Sequence, residues 1–467
     1  MVFLIQPLGS ILSAVLTDPL GRIKTMILVN IPFAIGWFLM YRASAVWEIF
    51  VGMGLQGLAI GLLEAPILTY LGEICEPATR SILLGYTLIT FTFGMSIIFV
   101  MNTFMAWRMV AMICFGLPFI TAIALCFIPE TPQWLLSKNR VADAEKSLRW
   151  LRGWVSSEVI AQEFHDLKRH SESFKSCNEC IKQDVKCPHP PPTMREKLAE
   201  MKRKRTIKPF AIVVILFALS HMTGVLTMRP YMVQVFKAYE SPIAPDRAAM
   251  IMSLLDNVAQ LAFMCLVHYT GKRKLYLSMV FGLVVCTLVI TSYGFIFLPQ
   301  GFNSFDYAHH SNFRVECKGV SYIPLIFLYL WSFFSFCGFN GMPWILLSEM
   351  FPFKSRGIAS GMAAAFYYLL GFIAKKTYYD LEVSMSLPGI TLFYCIISLF
   401  GLISTYYILP ETENRTLEEI ELHFMDNSKK IIDWKIESNT AELNKRKNNK
   451  NKSGFDNRGF ETECSKV

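Results

Sequence analysis

The chain has 467 residues, of which 53% are hydrophobic, 14% aromatic and only 17% charged. Soluble globular proteins usually carry more charge, so the composition excludes an ordinary soluble domain and indicates a membrane protein. The formal net charge is +9, and its Lys and Arg residues crowd residues 130–208 and the tail beyond residue 426. The positive-inside rule accounts for this uneven charge without any binding of nucleic acid.

Apolar runs long enough to cross a bilayer as helices recur along the chain. A helix satisfies all of its backbone hydrogen bonds internally, which the interior of a membrane requires. The sequence therefore predicts an all-α membrane protein. Its eleven predicted membrane helices cover residues 2–17, 25–43, 46–71, 81–104, 107–128, 209–236, 247–269, 275–298, 322–348, 357–379 and 388–409.

Three short charged motifs follow some of these helices, and all three appear twice in the same order. The first copies are Asp18-Pro-Leu-Gly-Arg-Ile-Lys, Glu73-Ile-Cys-Glu-Pro-Ala-Thr-Arg and Pro129-Glu-Thr. The second copies begin at His268, Glu349 and Pro410, about 250 to 280 residues later. This repetition predicts two pseudo-symmetric helical bundles, the construction of many secondary transporters.

The basic segment and the tail divide the chain into four predicted parts. These are an N-terminal membrane bundle (1–128), a cytoplasmic loop (129–206), a C-terminal membrane bundle (207–409) and a cytoplasmic tail (410–467) that is mostly disordered. Five helices precede the loop and six follow it, so we expect that the first helix of a twelve-helix protein is missing. The alternative is a genuine eleven-helix protein.

The predicted loop contains two further features. Helical periodicity from Asn139 to Gly153 predicts an amphipathic helix. Four residues that could act as soft metal ligands follow within a short stretch. Because the second pair, Cys187 and His189, is unusually close in sequence, we expect reduced thiols rather than a zinc site. The residues concerned are Cys177, Cys180, Cys187 and His189.

The motifs together resemble the sugar porter family of the major facilitator superfamily. The stretches Pro129-Glu-Thr-Pro-Gln-Trp-Leu, Pro343-Trp followed by Glu349-Met-Phe-Pro, and Pro410-Glu-Thr-Glu-Asn-Arg-Thr-Leu-Glu are similar to family patterns. The resemblance covers about residues 1–425, and within the family it is strongest to the insect-type facilitated trehalose transporters. It implies the major facilitator fold and transport by alternating access.

The charged motifs are predicted to form a cytoplasmic gate that holds the two halves together while the protein is open to the outside. The alternative is a set of solvated helix-end charges. Exposed ion pairs contribute only about 1 kcal/mol each, yet several together can bias a two-state equilibrium. The predicted gate residues are Asp18, Arg22, Glu73, Arg80, Glu130, Lys272, Arg273, Glu349, Arg356 and Glu411.

The resemblance also implies a substrate cavity lined chiefly by helices seven, eight and ten of the family fold. Family glutamines and asparagines are replaced there, so we expect a site that differs from a standard glucose site. Arg229 and Asp256 lie at similar depth and are predicted to pair, either across the cavity or as a purely structural pair. The predicted substrate-binding residues are Ser220, His221, Thr223, Leu226, Arg229, Asp256, Trp344 and Tyr368.

Glu64 lies inside the third predicted helix. A carboxyl group at membrane depth can carry a proton in coupled transport, or it can bond to a neighbouring hydroxyl or help the gate. We expect that Glu64 bonds to a neighbouring hydroxyl or helps the gate, rather than carrying a proton.

These features predict a carrier of a neutral sugar, such as trehalose, another disaccharide or a hexose, that is either facilitative or proton-coupled. No nucleophile–base set, phosphate-binding loop or redox motif occurs, so we expect no enzyme activity and no cofactor. The expected partners are a small sugar and the lipid bilayer, and a monomer suffices. We expect a multi-pass protein of the plasma membrane with a cytoplasmic C-terminus. The alternatives are a carrier of another small polar or organic solute, and a transport-deficient sugar sensor.

Overall fold

The computed structural model describes residues 1–74, 77–175, 204–305, 322–351 and 356–412, together with residue 201 and residues 423–424. Every regular element in these ranges is helical, which confirms the predicted all-α fold. The four predicted zinc ligands lie outside the described residues, as do the side chains of Arg80, Arg356 and His268.

Five long helices form the first half. They are α1 (Val2–Leu20), α2 (Arg22–Arg42), α3 (Val46–Ile74), α4 (Pro77–Phe104) and α5 (Trp107–Cys126). Helix α3 packs against both α1 and α2. A Cβ atom at Gly57 would lie 2.3 Å from the Val2 carbonyl oxygen, and one at Gly61 would lie 2.2 Å from that of Gln6. Glycines four residues apart therefore let the α1 and α3 backbones touch, as small residues do in membrane helix pairs.

Three further helices follow the first half. They are α6 (Pro132–Ser137), α7 (Val141–Leu151) and α8 (Ser157–Lys175). Helix α7 lies within the stretch predicted as an amphipathic helix, with Ala144 and Leu148 buried and Asp143 and Lys146 exposed. Trp134 of α6 and Phe164 of α8 contribute to the same small apolar core. The three helices therefore form a unit attached to the end of the first half that carries the charged motifs.

The second half contains helices that are interrupted within the membrane. Its elements are α9 (Lys204–Met222), α10 (Val225–Met228), α11 (Met232–Ala238), α12 (Pro245–Thr270), α13 (Lys272–Phe297), α14 (Tyr322–Phe334), α15 (Met342–Met350) and α16 (Arg356–Ile408). The α9 and α10–α11 segments are bent by 47° at a break that contains Gly224. Gly224 has φ 90° and lies against the Tyr394 ring, so the break requires glycine.

The longest helix, α16, contains two of the predicted membrane spans. Ser386 has φ 68° and ψ 165°, which is not helical, and Pro388 follows it. This break separates the two helices that were predicted at 357–379 and 388–409. Eight described helices are long and apolar enough to span a membrane, and the bent α9–α11 pair is a ninth. With α1 added and α16 divided at Ser386, the structure is consistent with the eleven predicted spans.

The two halves meet along two seams, between α1 and α16 and between α4 and α12. In the second seam, Asn257 donates a hydrogen bond to the Ser96 hydroxyl at 2.5 Å, and Ser96 donates to the Ser253 carbonyl at 2.6 Å. Helices α1 and α12 both precede a glycine turn, and α4 and α16 both follow a Glu-to-Arg motif. The sequence repeat therefore relates one seam to the other.

Candidate functional site

One end of the helices carries the repeated charged motifs, and we call it the motif end. In the first half, Arg22 at the start of α2 places its Nη2 atom 2.6 Å from Oε1 of Glu73 near the end of α3. Thr131 donates to the other oxygen of Glu73 at 2.5 Å. The Arg22 and Glu73 side chains are only 12% and 15% exposed. A pair this well covered is far more sensitive to loss of one partner than an ion pair at the surface.

Glu130 of the same cluster sits at the N-terminus of α2. Its Oε2 atom accepts the Ile23 amide at 3.1 Å, where the first backbone N–H groups of a helix lack internal partners. Gly21 allows this approach, because it has φ 95° and ψ 167° and a Cβ atom there would lie 2.5 Å from Glu130 Oε2. The glycine turn and the Pro-Glu-Thr motif are thus two parts of one contact.

The second half repeats this arrangement with different chemistry. The Lys272 ammonium lies 2.8 Å from both oxygens of Glu349. Glu411 accepts the backbone amides of Lys272 at 3.1 Å and Arg273 at 3.2 Å, while Gly271 has φ 81°. Thr412 donates to Glu349 at 3.4 Å. Each residue occupies the place of its counterpart in the first repeat.

The described ion pairs of both clusters lie within one half and do not bridge the halves. Asp18 is 3.9 Å from Arg22, but its side chain is 79% exposed. Arg273 turns away from the acidic residues and donates to the Tyr406 carbonyl at 2.6 Å. In the part of the chain that is described, each cluster therefore ties together the helices of its own half.

At mid-depth, three predicted substrate residues come together in an aromatic cluster. Trp344 of α15 lies 6.3 Å from Tyr368 of α16 between ring centroids, and His221 of α9 lies 4.4 Å from Tyr367. Tyr367 links them, because its ring centroid is 5.1 Å from that of Trp344. The cluster adjoins the α9–α10 break, and it offers flat faces beside polar ring atoms. Such surfaces suit the apolar faces and hydroxyls of a sugar.

Arg229 and Asp256 pair as predicted, but within a separate cluster. They form a direct ion pair, and Asp256 also accepts from the Ser332 hydroxyl at 2.5 Å. The Arg229 guanidinium lies over the rings of Phe99 and Phe336, at 5.2 and 5.6 Å from the centroids. Because Phe99 belongs to α4, this cluster contacts the first half. Both charged side chains are buried, so the pair is favourable only while all of its hydrogen bonds are made.

The remaining predicted substrate residues are not brought to either cluster through polar contacts. The Ser220 hydroxyl donates to the Leu216 carbonyl of its own helix at 3.0 Å. Thr223 is buried at the break after α9, and Leu226 packs against the apolar core of the second half.

Glu64 makes a contact between the halves that the sequence did not predict. Its Oε1 atom accepts from the Tyr368 hydroxyl at 3.2 Å, and its Oε2 atom accepts from Ser10 of α1 at 2.7 Å. A bond to a neighbouring hydroxyl was the expected role, but the partner in the other half was not. Ser332 was also missed, since a serine in an apolar helix gives no signal of its own. Thr131 and Thr412 could have been found, because both belong to the repeated motif.

The fold and these clusters define a membrane carrier of the major facilitator type, built from two related helical halves. A profile of the family described as "Sugar (and other) transporter" matches residues 1–424. The chain belongs to this sugar transporter family. Its membership supports the prediction that the protein is not an enzyme.

Relatives and solved structures agree with this assignment. The chain is 29% identical to "Facilitated trehalose transporter Tret1" of Apis mellifera ligustica over 427 residues, which cover 90% of this chain and 78% of the relative. The protein of the same name from Bombyx mori is 26% identical over 426 residues, with coverage of 91% and 77%.

The solved structure of the proton:xylose symporter XylE bound to 6-bromo-6-deoxy-D-glucose matches with a TM-score of 0.67 and 18% identity. The match covers 91% of this chain and 87% of the symporter. The inward open conformation of XylE from E. coli matches with a TM-score of 0.66 and 16% identity, covering 90% and 87%. At these identities the likeness concerns the fold alone.

Proposed function

We propose that this protein carries a neutral sugar, either a disaccharide such as trehalose or a hexose, across the plasma membrane by alternating access. The observation that carries the proposal is the aromatic cluster of Trp344, Tyr367 and Tyr368 beside the break between α9 and α10. The cluster lies where Tyr368 contacts Glu64 of the other half. A ligand held there would touch both halves, as alternating access requires.

The relatives named as facilitated trehalose transporters support trehalose as the first sugar to test. A disaccharide presents two apolar ring faces and many hydroxyls, and Trp344 is only partly buried, so its ring is available for stacking. His221 supplies ring nitrogens where the family pattern has a glutamine, and Tyr368 supplies a hydroxyl where the family has a tryptophan. We expect the altered polar set to change which sugar is preferred rather than to abolish sugar binding.

The orientation and division of the chain are part of the same proposal. The motif end and helices α6–α8 face the cytoplasm, because Lys and Arg residues crowd the segment 129–206 that joins the bundles 1–128 and 207–409. The tail from residue 410 lies on the same side. The predicted gate residues then act within each half: every cluster keeps its own motif end rigid, so that the halves move as units.

Uptake of radiolabelled sugar into proteoliposomes tests the proposal. We expect saturable trehalose uptake, and acceleration of tracer entry when the vesicles are preloaded with unlabelled trehalose. Trp344→Ala should lower the apparent affinity for sugar about fivefold or more, since stacking of one ring contributes about 1–3 kcal/mol. Trp154→Ala is the matched control, because that ring is 73% exposed beyond α7. Saturable binding without any flux would identify a sensor and contradict the proposal.

One observation favours a second candidate function. Arg229, Asp256 and His221 place charged or titratable groups near the pathway, where a neutral sugar needs none. A carrier of another polar or organic solute, such as an organic anion, would use them. Competition in the same vesicles separates the candidates: uptake that sugar acids inhibit and that neutral sugars leave unchanged would favour the second.

A further inference from the structure

The contact between Glu64 and Tyr368 joins the two halves in the interior of the membrane. Glu64 lies ten residues before the end of α3 at Ile74, which is about 15 Å along the helix and close to the middle of a bilayer core about 30 Å thick. Its two carboxyl oxygens have different partners. Ser10 comes from the same half, and Tyr368 comes from the other.

The partners of this carboxyl group in the described residues are hydroxyls, and none is a cation. Tyr367 and Tyr368 face it from α16, and Gln6 of α1 lies beside the Tyr368 hydroxyl. Two basic residues contact rings of the same aromatic group rather than the carboxylate. His221 stacks on Tyr367, and the Lys375 ammonium lies 3.3 Å from the ring centroid of Phe3. A carboxylate in a membrane without a basic partner is costly unless hydrogen bonds or a proton neutralise it.

We propose that Glu64 is a proton-binding site. A bound proton and a hydrogen bond from the Tyr368 hydroxyl are the two alternative ways in which its carboxyl group is stabilised. This inference rests on the proposed function. While the halves are in contact here, Tyr368 donates to the carboxylate and stabilises the ionised form. Movement of α16 away from α3 removes that donor, and the carboxyl group then takes a proton. By linkage, a bound proton weakens the contact and favours separation of the halves at this seam.

The other seam provides an internal comparison. At the α4–α12 seam the polar contacts between halves are made by Ser96, Ser253 and Asn257. None of these side chains titrates, and the neighbouring Asp256 is bound to Arg229 and Ser332 of its own half, so it makes no hydrogen bond across this seam in the described residues. The sequence repeat relates the two seams. Among the described residues, however, the α1–α16 seam has a contact through the titratable carboxyl group of Glu64. Proton sensitivity should therefore reside at the α1–α16 seam.

The test is sugar exchange in proteoliposomes that have equal pH on both sides, measured from mildly acidic to mildly alkaline buffer. Protonation converts a charge-assisted hydrogen bond into a neutral one, so wild-type exchange should become about fivefold faster at acidic pH. Glu64→Gln should exchange at the fast rate at every pH. Glu48→Gln is the control, because Glu48 is a half-buried acid at the start of the same helix that accepts the Ser44 amide in an exposed hydrogen bond. It should keep the full pH response.

Two exchange results would overturn the inference: wild-type exchange that does not vary with pH, or a Glu64→Gln variant that retains the wild-type response. Absence of any sugar exchange would instead refute the proposed function. In that case infrared difference spectroscopy tests the proton site without transport. A carboxyl C=O band should appear when the wild-type protein is acidified and be missing from Glu64→Gln. An identical band in both proteins, or none in the wild type, would overturn the proton site.

Discussion

The two motif-end clusters have the same plan but are not equally strong. In the first half the cation is Arg22, which reaches both Glu73 and Asp18, and Thr131 bonds to Glu73 at 2.5 Å. In the second half the cation is Lys272, and the corresponding Thr412 bond is 3.4 Å long. Because Arg has several donors in a fixed plane and Lys has a single charged group, the first cluster can bind more partners at once. The comparison indicates a tighter motif end in the first half.

Loss of the cation should have the largest effect. Arg22→Ala leaves Glu73 covered and without its cation, which should reduce stability by about 3 kcal/mol. Lys272→Ala should cost less, because Glu349 is 20% exposed and can be hydrated. The measurement is the apparent melting temperature of each purified variant in nanodiscs. An equal or larger loss for Lys272→Ala would contradict the ranking of the two clusters.

The glycine turns should show a smaller difference in the same direction. Gly21 and Gly271 both have backbone angles that only glycine adopts readily, so alanine should cost about 1–3 kcal/mol at either position. A new Cβ atom would lie 2.5 Å from Glu130 at Gly21, but 3.0 Å from Glu411 at Gly271. We therefore expect Gly21→Ala to lower the melting temperature more. Gly72→Ala is a control, since a Cβ atom there meets nothing within 4 Å.

The threonines should give the smallest effects and the sharpest contrast between the halves. Thr131 also caps α6 by accepting the Trp134 amide, so Thr131→Val removes two bonds and should cost about 1–2 kcal/mol. Thr412→Val removes one long bond and should cost less than about 0.5 kcal/mol. Thermal unfolding of the two variants in parallel decides this. Similar losses would show that the two hydroxyls contribute equally, whatever their bond lengths.

The sequence predicted the fold well because the membrane permits few solutions. Long apolar runs must be helices, and two copies of three motifs in the same order imply two related halves. The break in the first helix of the second half was harder to locate, because Gly224 lies in apolar sequence that reads as helix and its backbone angles accompany close packing against Tyr394. The break at Ser386 falls between the spans predicted at 357–379 and 388–409.

The site was only partly predictable, since spacing along one helix does not determine its partner on another. The Arg229–Asp256 pair could be predicted, because two charges at equal depth in apolar helices must be neutralised. Glu64 and Tyr368 are 304 residues apart and belong to different halves, so their contact required the structure. The motif charges were expected to join the halves, whereas the described pairs join helices within each half.

The central claim is that each half is rigid and that sugar changes only their relative position. It is tested most directly by distances between spin labels, attached after the native cysteines are replaced. One pair spans the halves, at Lys146 of α7 and Tyr269 of α12. The control pair joins the first half to the α6–α8 unit attached to it, at Tyr41 of α2 and Lys146, and all three positions are exposed. Saturating trehalose should shift the cross-half distance by several ångströms and leave the control distance unchanged. A cross-half distance that does not respond, or a control distance that shifts as much, would contradict the account.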